Sequence, residues 1–141
     1  MASGKYHPAL RQHLLEADEK EVGTPEYNQK RLLQIRVQDQ VMSLMAELGL
    51  DAIVYPHQQQ LVCKIGESQQ QRNGVLCSVT GFPSVVVPAG FAPSEDAPSG
   101  VPVGMEIIGR PFSEPTLIAI AYSFEQASRL RRPPQSVPEL S

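Results

Sequence analysis

The chain has 141 residues, of which 41% are hydrophobic and 19% charged, and its formal net charge is −3. This size suits one domain with a packed core, and the composition is that of a globular chain. The acidic balance argues against a nucleic-acid partner, and no apolar stretch is long enough to span a membrane.

The first residues are polar and lack the apolar centre of a secretory signal, so we expect a cytoplasmic protein. The two cysteines, Cys63 and Cys77, have neither zinc-site nor redox-motif spacing, and we expect reduced, mostly structural thiols. No set of ligand residues has metal-site spacing and no glycine loop has a phosphate-binding form, so we expect no metal and no cofactor.

Two helices are predicted in the first fifty residues. The first runs from Pro8 to about Glu21. The second begins after Thr24, whose side chain can cap it, with Pro25 at the first helical position and Gly49 just past the end. Its apolar side chains recur at helical spacing and form one stripe: Leu33, Val37, Val41, Leu44, Met45 and Leu48.

A short strand and a long excursion are predicted next. Residues 51–55 are apolar and partly β-branched, and Pro56 closes them, so we expect a buried strand. Residues 57–73 are rich in glutamine and have no regular period, which predicts an irregular segment. Residues 75–80 then favour a helical turn or short helix.

Two further strands are predicted in the second half of the chain. The β-branched run Ser84–Val87 favours a central strand, buried on both faces. A surface turn at residues 92–100 precedes a strand at Val101–Ile108, and a hairpin is the economical pairing. Gly104 within the second strand predicts a bulge or a close backbone approach.

The last predicted element is a helix that Ser113 caps and that Pro133 and Pro134 stop. Its first turn holds Glu114 and Pro115. The predicted buried stripe consists of Leu117, Ile120, Ala121, Phe124 and Leu130. Three arginines, which can complement the helix dipole, lie at its C-terminal end: Arg129, Arg131 and Arg132.

Several short motifs occur along the chain in a fixed order: Leu50-Asp-Ala-Ile-Val-Tyr-Pro56, Thr80-Gly-Phe-Pro-Ser84, Val87-Pro-Ala-Gly-Phe91, Val101-Pro-Val-Gly104 and Gly109-Arg-Pro-Phe-Ser-Glu-Pro-Thr-Leu117. The ordered set resembles the C-terminal portion of the amidase signature family, and in particular its arylamide- and peptide-amide-hydrolysing branch. This resemblance implies an α/β fold, a partial amidase-signature-like fold with a mixed β-sheet and flanking helices. It also implies a single truncated domain over residues 1–141, with a helical extension at 1–23, a family-like region at 24–134 and a tail at 135–141.

Members of that family hydrolyse amides with a Ser-Ser-Lys triad, carried on a Gly/Ser-rich segment and an upstream lysine. The sequence contains no such segment, and its lysines, Lys5, Lys20, Lys30 and Lys64, lie in no recognisable catalytic context. A serine nucleophile also needs an adjacent base and oriented oxyanion donors, for which there is no local signature. Hydrolysis by this chain alone is therefore not expected, and whether it is an enzyme stays open.

Two residues are the candidates for catalysis. His57 follows a strand end, where α/β folds place ligand sites, and its imidazole titrates near neutral pH. Glu106 lies within an apolar strand, and a pocket there would raise its pKa by desolvation. The alternatives are a solvated loop histidine and a glutamate that alternation points at solvent.

Three residues are candidates for substrate binding: Tyr55, Arg72 and Asn73. The arginine and the asparagine can bind a carboxylate or a carbonyl by hydrogen bonds. A position at the surface or in a turn is the simpler explanation for both. The tyrosine is equally compatible with a core position in which its hydroxyl reaches a neighbour.

Three functions remain compatible with these residues. The first is non-hydrolytic acid/base chemistry on a small molecule, such as a cyclisation, isomerisation or elimination. The second is a non-catalytic binding or assembly subunit that completes an amidase whose triad is on another chain, and the third is a degenerate amidase remnant. Exposed sheet edges and apolar faces would require a partner, so we expect a homo-oligomer, preferably a homodimer, or a complex with a triad-bearing chain.

Overall fold

The computed structural model describes residues 6–134 and Val137, so most of the predicted tail lies outside the described residues. After a 3₁₀ turn at Pro8–Leu10, the elements in chain order are α1 (Arg11–Asp18), α2 (Pro25–Glu47), β1 (Ile53–Pro56), α3 (Val75–Thr80), β2 (Ser84–Ser94), β3 (Ala97–Ile108) and α4 (Glu114–Ser128). The predicted α/β fold with flanking helices is confirmed. None of the helices in the described ranges is long and apolar enough to cross a membrane.

Contacts divide the chain into two compact units, one ending at Arg36 and the other beginning at Val37. The first unit contains α1 and the start of α2. Thr24 caps α2 as predicted, because its Oγ1 accepts a hydrogen bond from the Tyr27 backbone N–H at 3.2 Å. The first predicted helix is present, but it begins as a 3₁₀ turn and its α-helical part ends at Asp18.

The C-terminal end of α2 is a complete Schellman turn. Gly49 has a φ of 62°, its N–H donates to Ala46 O at 3.2 Å, and the Leu50 N–H donates to Met45 O at 2.8 Å. The predicted helix end is therefore confirmed. Arg110, from the loop between β3 and α4, also stabilises this end of α2. Its Nη2 donates to Met45 O at 3.1 Å and to Leu50 O at 3.0 Å.

The three strands form an antiparallel sheet in the order β1-β3-β2. The strand at the centre is therefore β3, and the prediction of a central strand at Ser84–Val87 is wrong. That run lies on an edge, where Val86 is 51% exposed while its neighbour Val87 is only 4% exposed. The predicted buried strand, β1, is the other edge and alternates between partly buried and exposed residues.

The predicted hairpin between β2 and β3 is confirmed, although its strands extend further than expected. They continue to Ser94 and resume at Ala97, so the surface turn consists of Glu95 and Asp96 alone. The pairing register shifts in β2 between Pro88 and Gly90, and Pro88 is the residue that pairs with Gly104 of β3. A Cβ at Gly104 would lie 2.9 Å from a methyl carbon of Val86, so the close approach at this glycine is made by a side chain and not by the predicted backbone.

Helix α4 packs on one face of this sheet and forms the main hydrophobic core. The buried members are Val87, Ile107, Leu117 and Ala121, with Ile120 and Phe124 among the partly buried side chains that pack around them. The predicted stripe of α4 is confirmed except for Leu130, which lies beyond the helix and is exposed.

Both ends of α4 differ in detail from the prediction. Ser113 occupies the cap position, but its hydroxyl donates to Arg110 O at 2.7 Å and caps no helical N–H, because the preceding turn brings that carbonyl closer. At the other end the arginines lie beyond the last turn. The Arg132 guanidinium stacks on the ring of Phe91, 3.9 Å from its centroid, in a cation–π contact instead of the predicted dipole contact.

Residues 57–73 form the predicted irregular excursion, which we call the glutamine loop. An isolated bridge between Gln58 and Arg72 closes its base. Its far side contacts the β2–β3 turn through an ion pair between Lys64 Nζ and Asp96 Oδ2 at 2.9 Å. Both side chains are largely exposed, so this pair contributes about 0 to 1 kcal/mol.

Candidate functional site

The fold brings together the two candidate catalytic residues, although they are far apart in sequence. His57 directly follows β1, and Glu106 lies on β3 opposite Tyr55 of β1. Residues paired across antiparallel strands point to the same face of the sheet, so this register places Glu106 beside the end of β1. His57 Nδ1 and Glu106 Oε2 are 3.1 Å apart, a hydrogen-bonding distance.

Glu106 is a buried carboxylate, with only 1% of its surface exposed. Burial alone raises its pKa, but hydrogen bonds from surrounding side chains outweigh burial and the net pKa shift is downward. The side chains that lower the pKa are Cys77, Ser84, His57 and Tyr55. The predicted rise of this pKa by desolvation is therefore wrong, because the pocket supplies donors to the charged form. Glu106 is a carboxylate at neutral pH.

Tyr55 lies next to this carboxylate. Burial raises the pKa of its phenol, and the negative charge of Glu106 raises it further. The Tyr55 hydroxyl is shielded from water and has no hydrogen bond of standard geometry within the described residues, although it lies close enough to Glu106 to influence its pKa. The tyrosine therefore remains a neutral phenol behind the histidine–glutamate pair.

His57 lies between the buried carboxylate and an open cavity. Its side chain is 41% exposed and lines a cavity of about 300 Å³. The other lining residues are mainly apolar or carry neutral amides: Pro56, Gln58, Gln60, Leu61, Val62, Val86, Pro102, Val103 and Gly104. A carboxylate on one side of an imidazole and a cavity on the other is the arrangement that orients a general base.

Gly74, at the start of α3, provides the space for the imidazole ring. A Cβ at this position would lie 2.5 Å from His57 Cε1, closer than real side-chain contacts allow. The ring therefore packs directly on the backbone of Gly74.

We expect Gly74→Ala to displace the His57 ring and to break its hydrogen bond with Glu106, because the new methyl group would clash with Cε1 at 2.5 Å. The His57 ring resonances, followed by NMR, should change in chemical shift. Ser123→Ala is a suitable control, since that side chain is exposed on α4. Unchanged chemical shifts of the His57 ring in Gly74→Ala would contradict this placement of the ring.

The remaining two candidate residues lie at the base of the glutamine loop and are absent from the cavity lining. Asn73 closes the loop: its N–H donates to His57 O at 3.0 Å, and its Nδ2 donates to Pro56 O at 2.7 Å. The Arg72 side chain is exposed, and its backbone pairs with Gln58. The structure therefore groups Tyr55 with His57 and Glu106, and it places Arg72 and Asn73 in loop closure.

Cys77, Ser84 and Gly74 belong to this site but were not among the candidates. Ser84 lies on β2 opposite Ile108, two residues along β3 from Glu106 and therefore on the same face of the sheet. Only the pairing register reveals this position, and no local motif does. Within residues 6–134 and Val137, no three potential ligand side chains converge as a metal site.

Comparison with known proteins identifies similar sequences and folds. The family profile described as "Amidase" matches residues 6–118. The chain is 31% identical over 98 residues to a probable amidase of Arabidopsis thaliana, covering 70% of this chain and 17% of that protein. It is 43% identical over 60 residues to a glutamyl-tRNA(Gln) amidotransferase subunit of Methanosarcina acetivorans, covering 41% of this chain and 11% of that protein.

Among solved structures, the native peptide amidase of Stenotrophomonas maltophilia matches with a TM-score of 0.74 and 30% sequence identity. The match covers 94% of this chain and 26% of the peptide amidase. An amidase family protein of Bacillus anthracis matches with a TM-score of 0.63 and 30% identity, and the match covers 21% of that chain. The chain thus spans about a quarter or less of the length of these relatives.

Proposed function

The chain belongs to the amidase family, and from that premise we propose that it is an amidase-fold fragment in which His57, oriented by Glu106, performs non-hydrolytic acid/base chemistry on a small molecule. The observation that carries this proposal is the 3.1 Å contact between His57 Nδ1 and Glu106 Oε2, formed next to an open cavity.

The chemistry follows from the protonation states of the pair. An ionised carboxylate only accepts hydrogen bonds, so the proton of a neutral His57 lies on Nδ1 and leaves Nε2 as the free basic atom. Nε2 can take a proton from a bound molecule and return it at another atom, which isomerises that molecule. If a leaving group departs instead, the same step is an elimination. If an internal nucleophile is deprotonated, it is a cyclisation.

The contacts of Ser78, Lys30 and Lys64 do not favour a hydrolytic alternative. Ser78 Oγ donates to Gly74 O at 3.3 Å, which is a helix-internal bond and not an activating one. Lys30 and Lys64 are paired with Glu26 and Asp96. These contacts support a role other than amide hydrolysis for the chain by itself.

His57→Gln should lower proton transfer by about 100-fold or more, which is the usual contribution of a positioned general base. We would measure deuterium uptake from D₂O into a panel of cyclic ketones and lactones by NMR, with His13→Gln as the matched control at an exposed position. Glutamine preserves the size and hydrogen bonding of the side chain but cannot accept a proton. Wild-type uptake no faster than that of His57→Gln would remove the proposed function.

A second candidate is a binding or assembly subunit that pairs with a second copy of itself or with a triad-bearing amidase chain. It is favoured by the stripe predicted on α2, where Leu33, Leu44 and Leu48 remain exposed. It is also favoured by the two sheet edges, β1 and β2, whose outer sides pair with no other strand in the described part of the chain. We prefer the homodimer, because two-fold dimers are the commonest closed assembly. Light scattering after size exclusion should give twice the 15.5 kDa chain mass, and a stable monomer would count against self-association.

A further inference from the structure

We propose that Val86 is the specificity-determining residue of the cavity beside His57, and that its side chain limits the ligand to a molecule with a single ring. This inference rests on the proposed function, because it concerns the same site. It adds a size limit that the acid/base chemistry does not itself require.

Val86 differs from its neighbours in the β-branched run of β2. Val85 and Val87 pack in the core between the sheet and α4. Successive side chains of a strand point to opposite faces, so Val86 points away from that core. It is 51% exposed and lines the cavity. The core therefore does not require this valine, and its side chain shapes the cavity wall instead.

Strand pairing places Val86 next to the histidine–glutamate pair. Glu106 of β3 pairs with Tyr55 on one side and with Val86 on the other, so the three residues form a row across one face of the sheet. The Cβ atoms of such opposite residues are about 4.5–5.5 Å apart. Because Glu106 is hydrogen-bonded to His57, a molecule that fills the cavity beside the imidazole also lies against Val86.

Gly104 determines where the Val86 side chain lies. A Cβ at Gly104 would be 2.9 Å from Val86 Cγ1, so this methyl group rests directly on the glycine backbone. The Gly104 carbonyl also accepts a hydrogen bond from the His57 N–H at 3.2 Å. A valine side chain has one rotatable bond and a strong rotamer preference. The wall next to the imidazole is therefore stiff, and the sizes of residues 86 and 104 set its position.

The volume of the cavity fits a small ligand. At about 300 Å³ it is at the lower end of the range for small-molecule pockets. A single ring with small substituents is of suitable size. We expect a second, fused ring to meet the methyl groups of Val86.

Two ketones with the same reacting group test this size limit. Cyclohexanone has one ring, and tetralone has a second, fused ring. NMR titrations of the protein give the affinity for each. Val86→Ala should raise the affinity for tetralone relative to cyclohexanone by about tenfold, because it removes the methyl groups that the second ring meets. Val86→Thr keeps the shape of valine and should keep the ratio of the two affinities within about twofold.

Val54→Ala is the matched control. Val54 is 54% exposed, as Val86 nearly is, and it lies on the other edge strand. It pairs with Ile107 of the core, so it belongs to the opposite face of the sheet, and it is absent from the cavity lining. The ratio of the two affinities should stay within about twofold of the wild type in this variant.

A double variant tests the contact between Val86 and Gly104. Gly104→Ala should push the valine side chain out of its position and weaken cyclohexanone binding by about tenfold. Adding Val86→Ala to Gly104→Ala removes the clash and should restore most of that affinity. A double variant that binds cyclohexanone no better than Gly104→Ala would contradict the contact.

The inference is overturned if Val86→Ala changes the ratio of affinities no more than Val54→Ala does, or if the wild type binds neither ketone. The two proposals fail separately. A size limit without deuterium uptake would remove the acid/base function and retain the role of Val86. Uptake with the same ratio of affinities in Val86→Ala and in the wild type would do the opposite.

Discussion

Replacing Glu106 with alanine should destabilise the protein by about 2 to 4 kcal/mol, because the change opens a void at a buried position and removes a hydrogen-bond acceptor. The carboxylate is 1% exposed, and its removal takes the acceptor away from the side chains that lower its pKa. His57 also loses the group that orients it. The free energy of unfolding from urea denaturation is the appropriate measurement.

Two variants make that measurement specific. Glu106→Gln keeps the volume and one acceptor oxygen, so we expect a smaller loss of about 1 to 3 kcal/mol. Glu125→Ala removes an exposed glutamate of α4 and should change the stability by less than about 0.5 kcal/mol. If Glu106→Ala were as stable as Glu125→Ala, the carboxylate would not be the buried acceptor described here.

The same carboxylate should make stability depend on acid pH. Its folded-state pKa is lowered below the ordinary 4.5, so the folded state favours the ionised form. The resulting stabilisation is fully present above that ordinary value and is lost as the pH falls through the folded-state pKa. The decline of unfolding free energy below about pH 4.5 should therefore be shallower in Glu106→Gln than in the wild type.

Replacing Arg110 with alanine should cost about 3 kcal/mol, because two hydrogen bonds from a charged donor are lost, each contributing about 1.5 to 3 kcal/mol. Both bonds go to carbonyls at the end of α2, namely those of Met45 and Leu50. The guanidinium is partly buried, so water replaces these contacts only in part. Amide hydrogen exchange in the last turn of α2 should accelerate along with the global loss of stability.

Arg110→Lys keeps the charge but has a single ammonium in place of the planar fork, and it should recover only part of the stability. Arg131→Ala removes an exposed arginine beyond α4 and serves as the control, with an expected change below about 0.5 kcal/mol. Equal stability of Arg110→Ala and Arg131→Ala would show that Arg110 does not stabilise the end of α2.

The local features of the fold could be predicted because neighbours in sequence determine them. Thr24 and Gly49 mark the ends of α2 through bonds to residues within five positions. The order of the strands could not be predicted in the same way. A β-branched run at Ser84–Val87 is typical of a buried strand, yet its place in the sheet depends on partners that lie more than fifteen residues away.

The site shows the same division between local and distant determinants. His57 and Glu106 could each be selected for their own chemistry, but their contact spans 49 residues and depends on the β1–β3 register. The direction of the Glu106 pKa shift could not be predicted, because Cys77 and Ser84 come from other elements. The residues around Arg110 in the sequence do not indicate that it bonds to the end of α2, because its acceptors lie 65 and 60 residues away.

The order of strands in the sheet also has a consequence for synthesis on the ribosome. Both β1 and β2 pair with β3 and not with each other, and β3 is the last of the three to be translated. The β2–β3 hairpin can close as soon as residue 108 has emerged, whereas β1 must wait for about fifty residues after its own synthesis. During that interval β1 is an unpaired apolar segment, so we expect the nascent chain to need chaperone protection most at this stage.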